Sequence, residues 1–166
     1  MQLQEESDME EESRKSFAQI TLYNQLIKEM DDLYRVYAKN CNLSETAFWI
    51  LYCIREREEG AFTQREICGY WFYTPQTVNS ALKNMTEEGL ITLRAEEGNR
   101  KSKRIYLTEK GKETAERIVV PLMNAERRAL AALGEQETEV FLQTMKKHTE
   151  LFKEEITKLT EGAEPM

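Results

Sequence analysis

The sequence has few of the residues on which enzyme and metal sites depend. Its 166 residues include a single histidine, His148, and only three cysteines, none of them in a CxxC pair. One histidine excludes the HExxH class of metal site, and the chain has no Walker A, GxSxG or Rossmann glycine pattern. We therefore predict no catalytic residues, no metal site and no cofactor, and we do not expect an enzyme.

Long apolar runs and disulfide-type cysteine spacing are also missing. No apolar stretch approaches the ~20 residues that a membrane-spanning helix needs. The first residues, MQLQEESDMEEES, lack the apolar core of a secretory signal. An odd number of cysteines argues against a disulfide framework. These absences predict a cytoplasmic protein with no membrane partner.

Charge is distributed unevenly along the chain. The net charge is −7, yet residues 61–112 hold nine Lys and Arg against six Asp and Glu, which leaves +3 there and −10 elsewhere. Four bases fall within the five residues 100–104. Residues 1–12 carry six acids and no base, so we predict that residues 1–13 form a disordered tail or a frayed helical start. The basic segment is suited to a phosphate backbone.

The clearest local signals lie around a helix that starts near Thr74. Thr74 is a preferred N-cap residue, Pro75 suits the first helical position, and Gly89 suits the position just after the helix. One face is apolar, with Val78, Leu82 and Met85 at helical spacing. The opposite face is polar and consists of Gln76, Thr77, Ser80, Lys83 and Asn84.

Two further signals flank this helix. Thr63 and Glu66 fit a capping box, which predicts another short helix before it. After it, apolar and polar residues alternate over 91–94 and 104–107, which predicts two strands joined by a loop over 95–103. The predicted fold class is mostly α with a small β-hairpin wing (α+β), a winged helix-turn-helix lobe. The second helix of such a pair can enter a DNA major groove.

This arrangement assigns candidate roles in binding double-stranded DNA. Gln76, Thr77, Ser80 and Asn84 are expected at base edges and Lys83 at a phosphate, with Thr74 beside them at the helix start. Arg100 near the wing tip is expected in the minor groove or on the backbone. The phosphate contacts of the wing are assigned to Lys101, Lys103 and Arg104.

Long amphipathic helices are predicted outside the lobe, over residues 14–39, 108–133 and 135–160, with Pro121 kinking the second. A further helix over 45–57 begins after Ser44. The apolar residues of 14–39 and 108–160 exceed what a small winged helix can cover. We therefore predict a single domain over 14–160, with a lobe over 40–107, a helical dimerisation region over 14–39 and 108–160, and a short tail over 161–166.

Two stretches, TVNSALKNMTEEGLI and NRKSKRIYLTEKG, together resemble the MarR-type transcription regulators. That resemblance extends in layout from about residue 14 to 160. It implies a homodimeric transcription regulator, in particular a ligand-responsive repressor on a pseudo-palindromic operator. The family usually has Asp before the wing arginine, where this chain has Asn99 before Arg100.

Alternatives remain open at three points. Tyr34, Tyr37, Phe48, Trp49 and Tyr52 cluster where the first two helices should meet, and they form either a core junction or, as the resemblance implies, a pocket for a small aromatic or anionic effector. Cys41, Cys53 and Cys68 allow a redox-sensing regulator, although buried cysteines are usually small core residues. The last alternative is a winged helix used only for protein contacts, against which the basic wing argues.

Overall fold

The helices and the small sheet follow one another along the chain in the order that the capping and periodicity signals predict. The computed structural model describes residues 2–57, 62–96 and 99–161, and for residues 2–10, 12, 96 and 99–102 it describes the backbone alone. These residues form, in chain order, α1 (Gln2–Asn40), α2 (Glu45–Glu56), β1 (Phe62–Thr63), α3 (Gln64–Trp71), α4 (Pro75–Glu87), β2 (Ile91–Glu96), β3 (Asn99–Leu107), α5 (Glu109–Leu133) and α6 (Glu135–Glu161). The predicted fold class, mostly α with a small sheet, is confirmed.

The helix starts follow from local side-chain hydrogen bonds. Ser44 accepts from the backbone N–H of Ala47 at the start of α2. At α3 the capping box is complete: Thr63 accepts from the N–H of Glu66, and the Glu66 carboxylate accepts from the N–H of Thr63. Such caps satisfy backbone donors that have no partner within the helix. The predicted caps are confirmed.

The recognition-type helix α4 is bounded as its sequence predicts. Thr74 accepts from the N–H of Thr77, and Pro75 occupies the first turn. Gly89 follows the C-cap Glu88 with φ +71°, a left-handed conformation that glycine adopts at little cost. Its N–H donates to the carbonyl of Thr86. These two ends fix the length of the helix.

The first compact unit, Met1–Val119, contains the lobe core. The residues that it buries most completely come from α2, β1, α3, α4, the sheet and the start of α5. They include Phe48, Ile50, Leu51, Phe62, Ile67, Val78, Met85, Ile91, Ile105 and Val119. Burial of one such side chain contributes about 1.5–3 kcal/mol. The apolar side predicted for α4 lies within this core.

The sheet is antiparallel with strand order β1-β3-β2. The predicted loop over 95–103 is wrong in extent, because β2 continues to Glu96 and β3 begins at Asn99. Lys103 pairs with Ala95 and Asn99 with Glu96, so residues 100–102 have no counterparts on β2 and form a bulge. Hydrogen bonds between the backbones of β2 and β3 do not depend on apolar side chains, so the strands extend beyond the residues in which apolar and polar side chains alternate. Gly98 lies outside the described residues.

The residues just before β2 are hydrogen-bonded to the start of α5. The N–H of Thr108 donates to the carbonyl of Leu90, and the Thr108 hydroxyl donates to the carbonyl of Gly89 over 2.6 Å. Thr108 also accepts from the N–H of Gly111, as an N-cap residue does. A Cβ on Gly111 would lie 1.9 Å from the Leu90 carbonyl oxygen, so this close approach requires glycine.

The first helix is longer than predicted. α1 begins at Gln2, so residues 2–13 are helical within the segment 1–13 that was predicted as a disordered tail or a frayed helical start. Extending an existing helix avoids the cost of nucleation, and Gln, Glu and Met are good helix formers. At the other end of the chain α6 reaches Glu161. The remainder of the predicted tail, residues 162–166, lies outside the described residues.

The second compact unit, Val120–Met166, is made of the later part of α5 and of α6. Pro121 lies inside α5, and the helix continues through it. No residue of α6 is buried. The exposed apolar residues of α6 are Val140, Phe141, Leu142, Leu151, Phe152, Ile156 and Leu159. Among the described residues, no helix is both long enough and apolar enough to span a membrane.

Candidate nucleic-acid interface

The polar side of α4 is exposed as a continuous surface. The six residues assigned to DNA at this helix are all exposed: Thr74, Gln76, Thr77, Ser80, Lys83 and Asn84. Val78 and Met85 anchor the opposite side with 0% and 1% exposure. A helix held in this way presents its polar side chains from a rigid base, which is what reading base edges requires.

Three of these hydroxyl groups take part in local hydrogen bonds. The Ser80 hydroxyl donates to the Gln76 carbonyl over 3.0 Å, which leaves its oxygen lone pairs as acceptors. The Thr74 and Thr77 hydroxyls lie 2.8 Å apart. Thr74 also accepts from the Thr77 N–H. Thr74 therefore acts first as a cap, and any contact that it makes to DNA adds to that role.

A recess of about 920 Å³ lies beside α4, between the start of α3 and strands β2 and β3. Its apolar lining includes Leu82, Leu93 and Ile105. Its charged residues are Arg65, Lys83, Lys103 and Glu87, so bases outnumber acids three to one. The Gln64 side chain donates to the Pro75 carbonyl over 3.0 Å and ties the starts of α3 and α4 together at its edge. The recess is a positively charged channel along the recognition-type helix.

The strand register separates two bases that the sequence assigned together to phosphates. Lys103 pairs with Ala95 and lies on the same side of β3 as Ile105, because side chains two apart in a strand share a face. Lys103 therefore lines the recess. Arg104 lies on the opposite face of the sheet, directly across from Arg94. A strand turns neighbouring residues to opposite sides, so the phosphate contacts predicted for Lys103 and Arg104 would lie on different faces of the sheet, and they stay predictions.

The other two wing bases, Arg100 and Lys101, lie in the bulged part of β3. Their side chains are outside what the structure describes, and so is that of Asn99. Their predicted contacts with the minor groove and the backbone therefore stay predictions.

Glu66 lies between the α3 cap and two arginines. Hydrogen bonding from the Thr63 N–H is the main cause that lowers the pKa of the Glu66 carboxyl, and the positive charges of Arg104 and Arg57 add to it. The Arg57 Nη1 atom lies 4.0 Å from Glu66 Oε1. This carboxylate stabilises the start of α3 and also attracts Arg104 on the outer side of the sheet.

The five aromatic residues proposed as an effector pocket do lie together. Tyr34 and Trp49 have ring centroids 4.8 Å apart, and Tyr37 and Phe48 are 6.0 Å apart. Tyr52 packs on Trp49 at 5.2 Å, and Trp71, which the sequence analysis did not include, packs on Trp49 at 4.1 Å. The rings contact one another as a packed junction does.

Tyr37 also links two helices at this junction. Its hydroxyl donates to the Ile118 carbonyl of α5 over 2.7 Å. Burial raises the pKa of Tyr37, with a further contribution from Cys41. The recess lies elsewhere in the lobe, beside α4, and the aromatic cluster remains a predicted effector site.

The cysteines differ in their surroundings. Burial raises the pKa of the Cys53 thiol to about 11, and the Trp71 indole N–H donates to its sulfur. A thiol with that pKa holds very little thiolate at neutral pH, so Cys53 is a poor redox sensor. Cys41 and Cys68 are half-buried, and all three thiols are free. Among the described residues, no group of three His, Cys, Asp or Glu side chains could hold a metal ion.

The contribution of α3 to this interface was not predicted from the sequence. Gln64 and Arg65 belong to the predicted capped helix, and in the structure both line the recess. Asn79 and Thr86 of α4 also line it. The available signal was the position of Arg65 directly after a helix start, where backbone donors and the helix dipole already favour an anion.

The exposed polar helix, the basic recess beside it and the antiparallel wing define a winged helix-turn-helix protein with a DNA-binding fold. The family model described as MarR family matches residues 42–102, which cover the lobe. The chain is 29% identical over 123 residues to YwoH of Bacillus subtilis, an uncharacterized HTH-type transcriptional regulator, covering 70% of this chain and 88% of that protein.

Solved structures agree on the fold. A MarR family regulator from Neisseria meningitidis matches with TM-score 0.72 and 23% identity, over 84% of this chain and 97% of that one. The MepR–DNA complex of S. aureus matches with TM-score 0.65 and 21% identity, over 79% and 95%. Residues 42–102 match the MarR family model, and the resemblance that the two quoted stretches indicate is confirmed there.

Proposed function

We propose that this regulator binds a pseudo-palindromic operator as a homodimer and represses transcription until a small molecule releases it. The observation that carries the proposal is that an exposed polar surface and a basic recess lie next to each other on α4. The polar side of α4 is exposed, and the basic recess runs along its flank. The first surface is suited to bases and the second to phosphates.

Sequence reading is assigned to α4 in a major groove. Gln76 and Asn84 carry amide groups, which can bind adenine through two hydrogen bonds. Ser80 offers an acceptor oxygen, because its donor is engaged by the Gln76 carbonyl. These three side chains lie one to two turns apart on one side of the helix, so they can meet successive base pairs.

Phosphate binding is assigned to the recess. Arg65, Lys83 and Lys103 approach it from three different elements, α3, α4 and β3. A strand of duplex DNA that passes between α4 and the wing would meet all three charges. Contacts to the backbone set orientation and affinity and carry no sequence information directly.

The homodimer is supported by the exposed apolar sides of α1 and α6. On α1 the large hydrophobic residues with more than half of their surface exposed are Phe17, Ile20, Leu22, Leu26, Met30 and Leu33. Leaving so many large apolar side chains in water is unusual, and such surfaces mark protein interfaces. A two-fold dimer would place its two α4 helices about 34 Å apart, one turn of the double helix.

Release by an effector is assigned to the aromatic cluster of α1 and α2, whose Tyr37 is hydrogen-bonded to α5. A ligand among these rings would have to displace some of them and so change the position of α5. Its expected class is a small aromatic or anionic molecule.

The test is selection of bound duplexes from a random DNA pool, followed by titration of variants on the selected operator and on a scrambled duplex. Gln76→Ala should weaken operator binding by about 1–3 kcal/mol and barely change binding to the scrambled duplex. Lys83→Ala should weaken both.

The matched control is Lys112→Ala, because Lys112 is an exposed helical lysine beside a glutamate, as Lys83 is. It should change neither affinity. A pool that yields no preferred sequence, or equal losses on both duplexes for Gln76→Ala, would contradict base reading by α4.

A further inference from the structure

One turn near the middle of α5 is held by side chains of two other helices. The Tyr37 hydroxyl of α1 donates to the carbonyl of Ile118 over 2.7 Å. From α2, Arg55 Nε lies 2.8 Å from Glu116 Oε1. All four residues belong to the first compact unit. Two different helices are thus linked to the same turn of α5.

That turn is also where the backbone of α5 is weakest. Pro121 has no N–H, so the carbonyl of Arg117 has no helical donor four residues further on. Helices bend more easily at such a position than elsewhere. Burial ends at the same place, because Val119 is the last buried residue of α5. Beyond Val119, neither packing in the lobe nor a complete set of backbone hydrogen bonds determines the direction of the helix.

The Arg55–Glu116 pair contributes more to orientation than to stability. The Glu116 side chain is 57% exposed, and exposed ion pairs add little to the free energy of unfolding. Arg55 Nε is itself shielded from water, and its N–H does not point at the carboxylate oxygen, so the contact is an ion pair. Moving this turn away from α2 would leave a shielded cationic group without its counter-charge. The pair therefore resists a tilt of α5.

A small change of direction at this turn has a large effect at the end of α5. The helix rises ~1.5 Å per residue, so the part from Ile118 to Leu133 is about 22 Å long. A tilt of about 10° would move its end by roughly 4 Å, close to the ~3.4 Å rise of one base pair. If α5 and α6 join two chains, such a tilt would change the distance between the two α4 helices by a similar amount.

We propose that Tyr37 and Arg55 are positioning residues, which set the spacing of half-sites that the dimer accepts. They act through α5 and not through contact with DNA. This role rests on the operator binding by a homodimer proposed above. Tyr37 also belongs to the aromatic cluster, so an effector bound among those rings would act on the same spacing.

The experiment measures the affinity of the full-length protein for four duplexes. One carries the selected operator, two have one base pair added or removed between its half-sites, and the fourth has a single half-site. Wild type should bind the two altered operators at least about tenfold more weakly than the selected one. Tyr37→Phe and Arg55→Gln should each reduce that ratio to about threefold, because a freer α5 lets the lobes adapt to the altered spacing. Affinity for the single half-site should stay unchanged.

The matched controls are Tyr70→Phe and Arg57→Gln, the same changes at other positions of the lobe. The Tyr70 hydroxyl donates to Glu56, and Arg57 pairs with Glu66 at 4.0 Å. These contacts lie within the lobe and do not involve α5. Both control variants should keep the wild-type ratio.

The link between α2 and α5 has two further tests. Arg55→Lys keeps a cation opposite the carboxylate and should restore most of the wild-type ratio. Glu116→Gln should lower the ratio as Arg55→Gln does, and the double variant should lower it no further, because both changes remove one interaction. The midpoint of urea unfolding should stay near that of wild type in each variant, since the pair is partly exposed.

Three results would overturn the assignment. Equal losses on all four duplexes would mean that Tyr37 and Arg55 support the lobe itself and not the spacing. Variants that keep the wild-type ratio would refute the positioning role and leave the proposed function intact. A wild type that binds every spacing and every sequence alike would refute both.

Discussion

Helices α4 and α6 are both amphipathic, yet they differ in what covers their apolar sides. α4 buries Val78, Ala81, Leu82 and Met85 inside its own lobe. α6 has no buried residue, and Phe141, Phe152 and Ile156 are each more than 40% exposed. The lobe covers the apolar side of α4 within one chain, whereas the apolar side of α6 is exposed and is open to a partner. A second copy of the chain is the partner that the proposed function supplies.

The comparison separates two kinds of dependence. Folding of the lobe depends on contacts within one chain, and under the proposed function operator binding depends in addition on contacts between chains. Substitutions on α6 should therefore abolish tight DNA binding without unfolding the lobe. Substitutions in the lobe core should unfold it whatever the state of assembly.

The largest effect is expected from a charge on the open side of α6. Ile156→Glu should convert the dimer to a species of 19.5 kDa, because an ionised carboxylate cannot be buried in an apolar interface without a partner. Operator affinity should fall at least about a hundredfold, since one half-site loses its tethered neighbour. Sedimentation and DNA titration measure the two effects.

Gln143→Glu is the control on the same helix, because Gln143 is exposed and bonds only to Glu139 among the described contacts. It should leave both assembly and affinity near the wild-type values. An Ile156→Glu protein that remains dimeric would show that α6 is not the interface.

The second-largest effect is expected from a substitution that overpacks the lobe. Gly111→Ala should lower the free energy of unfolding by about 1–3 kcal/mol, the usual cost of overpacking, because the new Cβ would lie 1.9 Å from the Leu90 carbonyl oxygen. Gly69→Ala is the control: it lies inside α3 with nothing within 4 Å of the added methyl, and it should be neutral or stabilise by up to about 1 kcal/mol. Urea unfolding of both variants decides it.

The sequence was most informative where structure is determined locally. Thr63, Ser44 and Thr74 cap their helices as predicted, because a cap depends only on residues three positions away. The buried side of α4 also followed from helical spacing, since one lobe covers it. The extension of α1 to Gln2 was not predicted from the sequence. Composition indicates whether a segment would form structure by itself, and it takes no account of the helix that the segment continues.

The site was predictable only in part, for a different reason. Arg65 comes to the recess from a separate element, and no pattern within α4 or the wing includes it. To place Lys103 and Arg104 on opposite faces of the sheet, the register of β3 must be known. The basic run does not reveal this register, because apolar and polar residues do not alternate within it. The aromatic cluster was located correctly, but packing of Trp71 against Trp49 could not be anticipated.

A smaller effect is expected from a substitution that weakens DNA binding and leaves the dimer intact. Arg65→Gln removes a recess charge without touching α1 or α6. Affinity for the operator and for scrambled DNA should fall together, by several-fold, and the salt slope should decrease by about 1.8 for two subunits. The dimer should persist in sedimentation. An unchanged salt slope would mean that Arg65 meets no phosphate.

The smallest effect concerns the α3 cap and its pH dependence. The folded pKa of Glu66 is lowered, so its stabilisation is present above the unfolded pKa and is lost as pH falls through the folded value. At pH 7 the free energy of unfolding of the wild type should exceed that of Glu66→Gln by less than about 1 kcal/mol, because the carboxylate is partly exposed. The difference should vanish in acid. Glu113→Gln, on the exposed side of α5, is the control, and a difference independent of pH would contradict the role of the charge.

The most direct test of the central claim, that two chains joined outside the lobe present two α4 helices to one operator, is the mass of the complex on the selected duplex. Sedimentation should show a dimer of the 19.5 kDa chain before DNA is added and two chains per duplex afterwards, with a scrambled duplex bound roughly a thousandfold or more less tightly. A monomer that binds as a single chain, or a dimer that binds both duplexes equally, would contradict it.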